Sequence, residues 1–361
     1  MSDGNRLNAL RAAMAKEDLK AMLVTHLPDV RWLCGFTGSN AALAVTAKKA
    51  VMFTDGRYTT QAKQEVRGAQ VAIAKKSAVK EACALLEQEA KHAGYDAAQT
   101  TVAALDEMRA AVSGKARRKL FVAVKKPLLA ELRMLKDAGE LRLMEKAAAL
   151  GDQVFSAVLS HIESGVAETE IAATLEFFAR SLGAEGMSFD TIVASGERSA
   201  LPHGKASARR TPRNGFVTLD FGVILNGYCS DMTRTVCVGR LSSKERAAYE
   251  AVLEAQQAGI AAVKPGATCA EVDEAARSVL RKAGLAKFFT HSTGHGVGLE
   301  IHEAPRLAAG QTQELKAGMV VTVEPGIYIA GKFGIRIEDM VAVTPRGNRV
   351  LTSSTKALIE L

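Results

Sequence analysis

Apolar residues recur at two spacings along the chain, and the switches between them mark its elements. From Leu7 to Lys20 they fall every three or four positions, which predicts a helix. AMLVT (21–25), AALAVT (41–46), AVMFTD (50–55) and QVAIA (70–74) are short apolar runs bounded by polar residues, and they predict strands. Residues 80–93 and 105–119 return to helical spacing. Helices alternating with strands over 1–125 predict an α/β domain with a small sheet. The pattern changes at VKKPLL (124–129), and 128–163 reads as a long helical stretch. A boundary near 125 therefore separates domain 1–125 from domain 126–361.

The second domain repeats its own order of elements. IESGVAETEIAATLEFFARSLGA (162–184) resembles VKPGATCAEVDEAARSVLRKAGLA (263–286), with a Gly turn, an acidic helix start and a helix ending near Gly. A Gly and a strand follow each, in NGFVTLDFG (214–222) and AGMVVTVEPG (317–326). Two related halves about a pseudo-twofold axis would bring Asp220 and Glu324 to equivalent places.

Composition narrows the class without naming a chemistry. At 361 residues the chain has ample length for two cores. A charged fraction of 24% and only eight prolines argue against long disorder. No apolar run approaches the roughly 18 residues of a membrane helix, and the N-terminus lacks an apolar signal core. A soluble, cytoplasmic protein is expected. The net charge is +8, but the one dense basic cluster (Lys115, Arg117, Arg118, Lys119, Lys125, Lys126) contains a single aromatic, Phe121. It reads as a solvated segment, and no nucleic-acid partner is expected. The five cysteines are widely spaced without a CxxC pair, so reduced core thiols are expected rather than disulfides or a thiolate zinc site.

The chemistry lies in two hairpins and a glycine-rich segment. In GFVTLDFGVILNGYCSDMTRTVCVG (215–239), two apolar runs flank Leu225-Asn226-Gly227, a hairpin tip. Asp220 and Asp231 then fall at or near cross-strand partner positions, where like charges repel unless a proton or cation lies between them. VVTVEPGIYIAGKFGIRIEDM (320–340) repeats the arrangement, with Glu324 opposite Glu338 about a turn at Gly331. Strand alternation puts Arg336 on the face of Glu338, which leaves Asp339 the weaker candidate. Between the hairpins, THSTGHGVGLEIHEAP (290–305) holds His291, His295 and His302 among glycines that permit close backbone approach. Each feature alone has a bland alternative: a solvent-facing acid pair, or a satisfied core histidine. Together, four carboxylates and one or two imidazoles suit a pair of divalent ions. The oxygen-rich set favours Mn²⁺, with Co²⁺, Fe²⁺ or Zn²⁺ as alternatives. Such a pair generates a nucleophile at neutral pH and polarises a carbonyl, which is hydrolytic chemistry.

Here a resemblance becomes specific. Asp220, Asp231, His295, Glu324 and Glu338 resemble the five-ligand site of the pita-bread dinuclear metallopeptidases. MSFDTIVASGERSALPHG (187–204), DMTRT (231–235), GHGVGLEIHE (294–303) and EPGIYI (324–329) resemble the proline-specific branch of aminopeptidase P and prolidase. GFTGSNAALAVT (35–46) and FTDGRYTTQA (53–62) resemble its N-terminal domain. The resemblance implies an α/β creatinase-like domain followed by a pita-bread domain with pseudo-twofold duplication. It implies that Asp220 chelates one metal, that Asp231 and Glu338 bridge, and that His295 and Glu324 hold the second. Glu324 also matches the carboxylate that takes a proton from water. His203 matches a substrate-side histidine, His302 one that stabilises the tetrahedral intermediate, and His291 one lining the proline pocket. Arg336 matches an arginine that orders the metal shell. The implied substrates are small peptides with proline at the second position, with the first domain capping the pocket and supporting a homodimer. An Xaa-Pro aminopeptidase is the leading expectation, ahead of a prolidase restricted to dipeptides. A creatinase-like amidinohydrolase and a non-enzymatic binding protein are the remaining alternatives.

Overall fold

The computed structural model describes residues 3–116 and 119–361. The chain divides into two compact units, Met1–Arg133 and Met134–Leu361.

The first unit is built on a six-stranded sheet of β1 (Ala21–Val24), β2 (Ala42–Thr46), β3 (Ala50–Thr54), β4 (Gln70–Ile73), β5 (Ala93–Tyr95) and β6 (Phe121–Ala123), in the order β4-β3-β2-β1-β5-β6. The central strands β1, β2 and β3 pair antiparallel, while β4, β5 and β6 join parallel. The helices are α1 (Asp3–Lys16), α2 (Leu27–Cys34), α3 (Thr59–Glu65), α4 (Ala78–Glu89) and α5 (Val102–Ala110). Residues of β1 to β3 are buried on both faces, which explains why these strands read as continuous apolar runs. One face packs Leu23, Ala44 and Phe53 against Ala82, Cys83 and Leu86 of α4.

The four expected strands form, each within a residue of its expected bounds. The helix expected over 105–119 instead runs Val102–Ala110: the Thr101 hydroxyl caps its start by accepting the Ala104 amide at 3.2 Å. Of the basic cluster, Arg117 and Arg118 lie outside the described residues, and Lys115, Lys119, Lys125 and Lys126 are exposed. The long helix expected over 128–163 is two helices, α6 (Leu128–Met134) and α7 (Ala138–Val158). Asp137 restarts the helix, its carboxylate accepting the amides of Gly139 and Glu140 at 2.7 and 3.0 Å while Glu140 accepts the Asp137 amide in return.

The second unit repeats one plan, two helices followed by antiparallel strands. The first pass runs α7, α8 (Glu168–Ser181), β7 (Gly186–Met187), β8 (Ile192–Ser195), β9 (Gly215–Phe221), β10 (Val223–Leu225), β11 (Tyr228–Cys229) and β12 (Met232–Val238). The second runs α9 (Ser243–Ala262), α10 (Cys269–Lys282), β13 (Gly294–Gly296), β14 (Glu303–Leu307), β15 (Val320–Val323), β16 (Gly326–Ile329), β17 (Phe333–Arg336), β18 (Asp339–Thr344) and β19 (Gly347–Val350). The sheets are β12-β9-β8, β11-β10-β7, β14-β13-β15-β18-β19 and the ribbon β16-β17. Helices α7 and α8 bury Val154, Phe155, Ile171 and Leu175 against Val193, Val217 and Leu219. Helices α9 and α10 bury Val252, Ala276 and Leu280 against Phe216, Ile327 and Ile335. Each such side chain contributes about 1.5–3 kcal/mol on burial. The strands that carry the acids are thus backed by packed helices in both passes.

Candidate metal centre

The first carboxylate pair comes from the strands on either side of a tight turn. Asn226 and Gly227 form its tip with φ of 50° and 77°, a conformation Asn and Gly adopt and Leu225 does not. The axis of the hairpin therefore lies between 226 and 227, not at 225–226. The register follows: Asp220 faces Thr233, and Met232 faces Phe221. Asp220 and Asp231 are thus offset by two residues rather than directly opposed, which keeps both on one face. Gly222 makes this possible, because a Cβ there would sit 1.8 Å from the Ser230 carbonyl oxygen.

The second pair sits at an interruption between two ladders. Val323 pairs with Asp339 in one and Gly326 with Arg336 in the other, so a single register sets Glu324 against Glu338 in the gap. Neither glutamate bonds its partner's backbone. The Glu324 amide donates to the Thr293 carbonyl at 2.8 Å, and the Glu338 amide to the Thr233 carbonyl at 3.1 Å.

His295 joins these acids from β13. Its amide donates to the Thr322 hydroxyl at 3.0 Å, and Gly294 beside it leaves no room for a Cβ, which would lie 1.9 Å from the Thr322 carbonyl oxygen. Its Nδ1 lies 3.0 Å from the Gly296 carbonyl, a contact that requires a proton on Nδ1 and leaves the Nε2 lone pair free. Nε2 lies 3.5 Å from Asp231 Oδ2 and 3.5 Å from Glu324 Oε1. Asp231, His295 and Glu338 offer donor atoms all within 4.8 Å of one another.

Arg336 organises the opposite side. Its guanidinium donates to Asp220 Oδ2 at 2.5 Å, the Thr233 hydroxyl at 3.0 Å, the Pro202 carbonyl at 3.1 Å and the Tyr328 hydroxyl at 2.6 Å. The Thr233 hydroxyl in turn donates to Glu338 Oε2 at 2.7 Å. Asp220 Oδ1 is buried without a hydrogen-bond partner. A buried carboxylate oxygen left unsatisfied beside three further acids fits a cation and little else.

The electrostatics point the same way. Burial, with the charges of Glu338, Asp220 and Glu324, pushes the Asp231 carboxyl well above the usual range. Burial, with Glu324 and Asp220, does the same to Glu338. Burial raises Glu324 to about 8, with Asp220 adding to the rise against the opposing pull of Arg336. Burial lowers His295 to about 4, so its imidazole is neutral at pH 7 and suited to bind a metal. Without a cation, the folded protein holds protons on these acids that the unfolded chain releases above about pH 5. Through these acids metal-free protein loses stability as pH rises from about 5 through about 8, with the buried His291 and His295 opposing the loss below about pH 6.5. The melting-temperature gain from saturating Mn²⁺ should then be larger at pH 8 than at pH 6 in calorimetry of chelated protein. A gain independent of pH would show that these carboxylates do not exchange protons for the ion.

All nine expected site residues line one cavity of about 690 Å³. His302 is exposed, its ring centroid 4.4 Å from that of His295. His203 lies on the exposed loop that precedes β9. His291 is half-buried, with Nε2 3.0 Å from the Tyr328 hydroxyl and Nδ1 2.8 Å from the Ser292 carbonyl. Nδ1 therefore carries the proton, and Tyr328 donates to Nε2 while accepting from Arg336. Burial lowers His291 to about 4, with Arg336 contributing. Phe189, Ile192 and Ile301 give the cavity an apolar wall; Arg306 also lines it, as does Lys205, which pairs with Asp190 of the same lining at 2.7 Å. Asp339 faces away, buried in a pair with Arg234 at 2.7 Å.

Three polar residues of this site escaped the sequence reading: Tyr328, Thr233 and Thr322. The signal was strand alternation. Thr233 stands two residues beyond Asp231, Thr322 two before Glu324 and Tyr328 four after it, each at an even spacing along its strand.

Comparison with known proteins agrees with this geometry. Residues 6–135 match the Creatinase/Prolidase N-terminal domain, and residues 142–345 match metallopeptidase family M24. The Xaa-Pro dipeptidase of Pyrococcus horikoshii is 35% identical over 347 residues, covering 96% of each chain. The solved Xaa-Pro dipeptidase from Bacillus anthracis matches with a TM-score of 0.95 and 39% identity over 100% of both chains. The X-Pro aminopeptidase from Thermotoga maritima matches with a TM-score of 0.88 and 35% identity, covering 95% of this chain and 97% of that one. The creatinase-like and pita-bread units expected from the sequence are therefore the fold, the acid cluster implies divalent metal ions, and the chain is a hydrolase that belongs to metallopeptidase family M24.

Proposed function

We propose that this metallopeptidase is an Xaa-Pro dipeptidase that works with two divalent ions, Mn²⁺ being favoured by the oxygen-rich donors. The observation that carries the dipeptide restriction is the full-length likeness to chains named Xaa-Pro dipeptidase. This reverses the order expected from sequence, where the aminopeptidase stood ahead. Arg306, an exposed cation in the cavity lining, supports the reversal. In an Xaa-Pro dipeptide the free carboxylate sits on the proline itself, next to the scissile bond, where a cation in the lining can meet it.

Asp220, Asp231, His295, Glu324 and Glu338 would hold the ions. The ions supply a nucleophile at neutral pH and polarise the scissile carbonyl. Glu324, ionised beside the bound cations, would accept a proton from the attacking water and deliver it to the proline nitrogen as the C–N bond breaks. His302 and His203, both in the cavity lining, would meet the substrate, with His302 stabilising the carbonyl oxygen as it gains charge. His291, held neutral by burial and oriented by Tyr328, lines the space for the proline ring. Proline has no N–H to offer, so this space must recognise shape rather than a donor. Arg336 fixes Asp220, Thr233 and Tyr328 relative to one another.

The test is a paired assay of an Xaa-Pro dipeptide and the tripeptide extended at its C-terminus, with Mn²⁺ restored to chelated protein. The dipeptide should be turned over at least about tenfold more efficiently, the loss for the tripeptide matching one charge-assisted contact. Equal or better turnover of the tripeptide would return the assignment to an aminopeptidase.

A further inference from the structure

The connection from β8 to β9, residues 196–214, is long and carries only one short turn of helix, Gly196–Ala200. A segment of that length has high conformational entropy unless tied down. His203, which this loop brings to the cavity, lies near its middle. Arg336 holds Pro202 and the Gly334 amide holds the Ser199 hydroxyl, but the largest group of ties converges on Glu168, a fully buried residue at the start of α8 that does not line the cavity. One carboxylate oxygen accepts the Ser195 amide at 2.8 Å and its hydroxyl at 3.0 Å; the other accepts the Ser207 amide at 3.2 Å and its hydroxyl at 2.7 Å. The end of β8 and a point just beyond the middle of the loop thus meet on one side chain, on either side of His203. Arg198 completes the clasp, pairing with Glu168 at 3.0 Å and donating across the loop to the Lys205 carbonyl at 2.7 Å.

The second half of the unit contains a matching device. Asp273 of α10 is 1% exposed and lies outside the cavity. It accepts the Thr293 amide and hydroxyl at 3.2 and 2.7 Å and pairs with Arg277 through both oxygens at 2.9 Å. Arg277 then donates to the Phe289 carbonyl at 3.0 Å and to the His291 carbonyl at 2.9 Å, and it lies 4.1 Å over the Phe289 ring. In each half, a buried acid on the inner helix and an arginine bind the backbone around one cavity histidine.

We infer that Glu168–Arg198 and Asp273–Arg277 are positioning pairs, one per half, that set His203 and His291 where the substrate meets them. The inference rests on the proposed role of these histidines. Glu168 and Asp273 touch nothing in the cavity, so they act through the loops.

A double-mutant cycle tests this, with kcat/KM for an Xaa-Pro dipeptide as the readout and Mn²⁺ content as the control. Glu168→Gln should lower kcat/KM by about 10–100-fold with metal content unchanged, the scale of a displacement near 1 Å at a catalytic group. Combined with His203→Ala, it should cost no more than His203→Ala alone, within about twofold. Combined with His291→Ala, the two losses should multiply, because the second histidine has its own clasp. A merely structural role would couple to both histidines alike. Should Glu168→Gln fail to fold, Ser207→Ala, which removes one bond from the same clasp, replaces it in the cycle. Multiplicative losses with His203→Ala, equal coupling to both histidines or an unchanged kcat/KM would each overturn the positioning role. If His203→Ala is itself silent, the proposed role of His203 falls, and the positioning inference with it. If His203→Ala is costly but the cycle is additive, only the positioning inference falls.

Discussion

Asp231→Ala is expected to lower turnover of an Xaa-Pro dipeptide by about 10³-fold or more, with the fold retained. Asp231 is the acid on which the cluster centres. Its carboxylate, the His295 imidazole and the Glu338 carboxylate offer donor atoms within 4.8 Å of one another, and Asp231 Oδ2 lies 3.5 Å from His295 Nε2. In the proposed site it would be one of the residues that hold the ions, so its loss should lower metal content. The effect on stability should be opposite in sign. The Asp231 carboxyl is raised by burial and by its neighbours' charges, so ionising it in the metal-free fold is costly. Metal-free Asp231→Ala should therefore melt no lower than metal-free wild type at pH 8, while metal-loaded wild type melts well above both. Elemental analysis, scanning calorimetry and the dipeptide assay read the three quantities. Full turnover in the variant would refute a mechanism that uses the acid cluster.

Arg336→Lys is the second large effect, because it keeps the charge and removes the fork. The guanidinium reaches four acceptors in different directions: Asp220, Thr233, Pro202 and Tyr328. An ammonium on a flexible stem cannot span them. If it keeps the contact to Asp220, the Pro202 carbonyl and the Tyr328 hydroxyl lose their donor inside a buried site. Those unsatisfied groups cost about 1–3 kcal/mol each in stability, and a displacement of Asp220 and His291 near 1 Å is expected to lower kcat/KM by roughly 10²-fold. Tyr328 orients His291, so the loss should include substrate recognition and appear partly as a raised KM. Wild-type kcat/KM in Arg336→Lys would mean that charge alone, not the fork, is what the site requires.

Much of this site was legible because strands count in twos. The parity of Asp220 with Asp231, and of Glu324 with Glu338, follows from sequence spacing about a turn, and parity decides the face. The exact register did not follow. The Asn226–Gly227 turn is centred later than the apparent midpoint, and only the positive φ of both residues reveals it. Tyr328 was hidden by its surroundings: in GIYI it reads as one more apolar strand residue, and only the folded chain brings Arg336 and His291 to its hydroxyl. In the first unit β5 and β6 were missed because three residues are too few to establish a period. The break between α6 and α7 was missed because the apolar spacing continues across it, whereas the cap is made by a single polar side chain, Asp137.

Glu324 and Glu338 stand opposite each other without sharing a rung, and each gives its amide to a residue outside the hairpin. Their separation is therefore set by where Thr293 and Thr233 hold them, and those residues belong to opposite halves of the unit. Moving segment 320–344 alone into another scaffold would transfer both ligands without what spaces them. The site is a joint between three sheets, and any redesign has to keep all three.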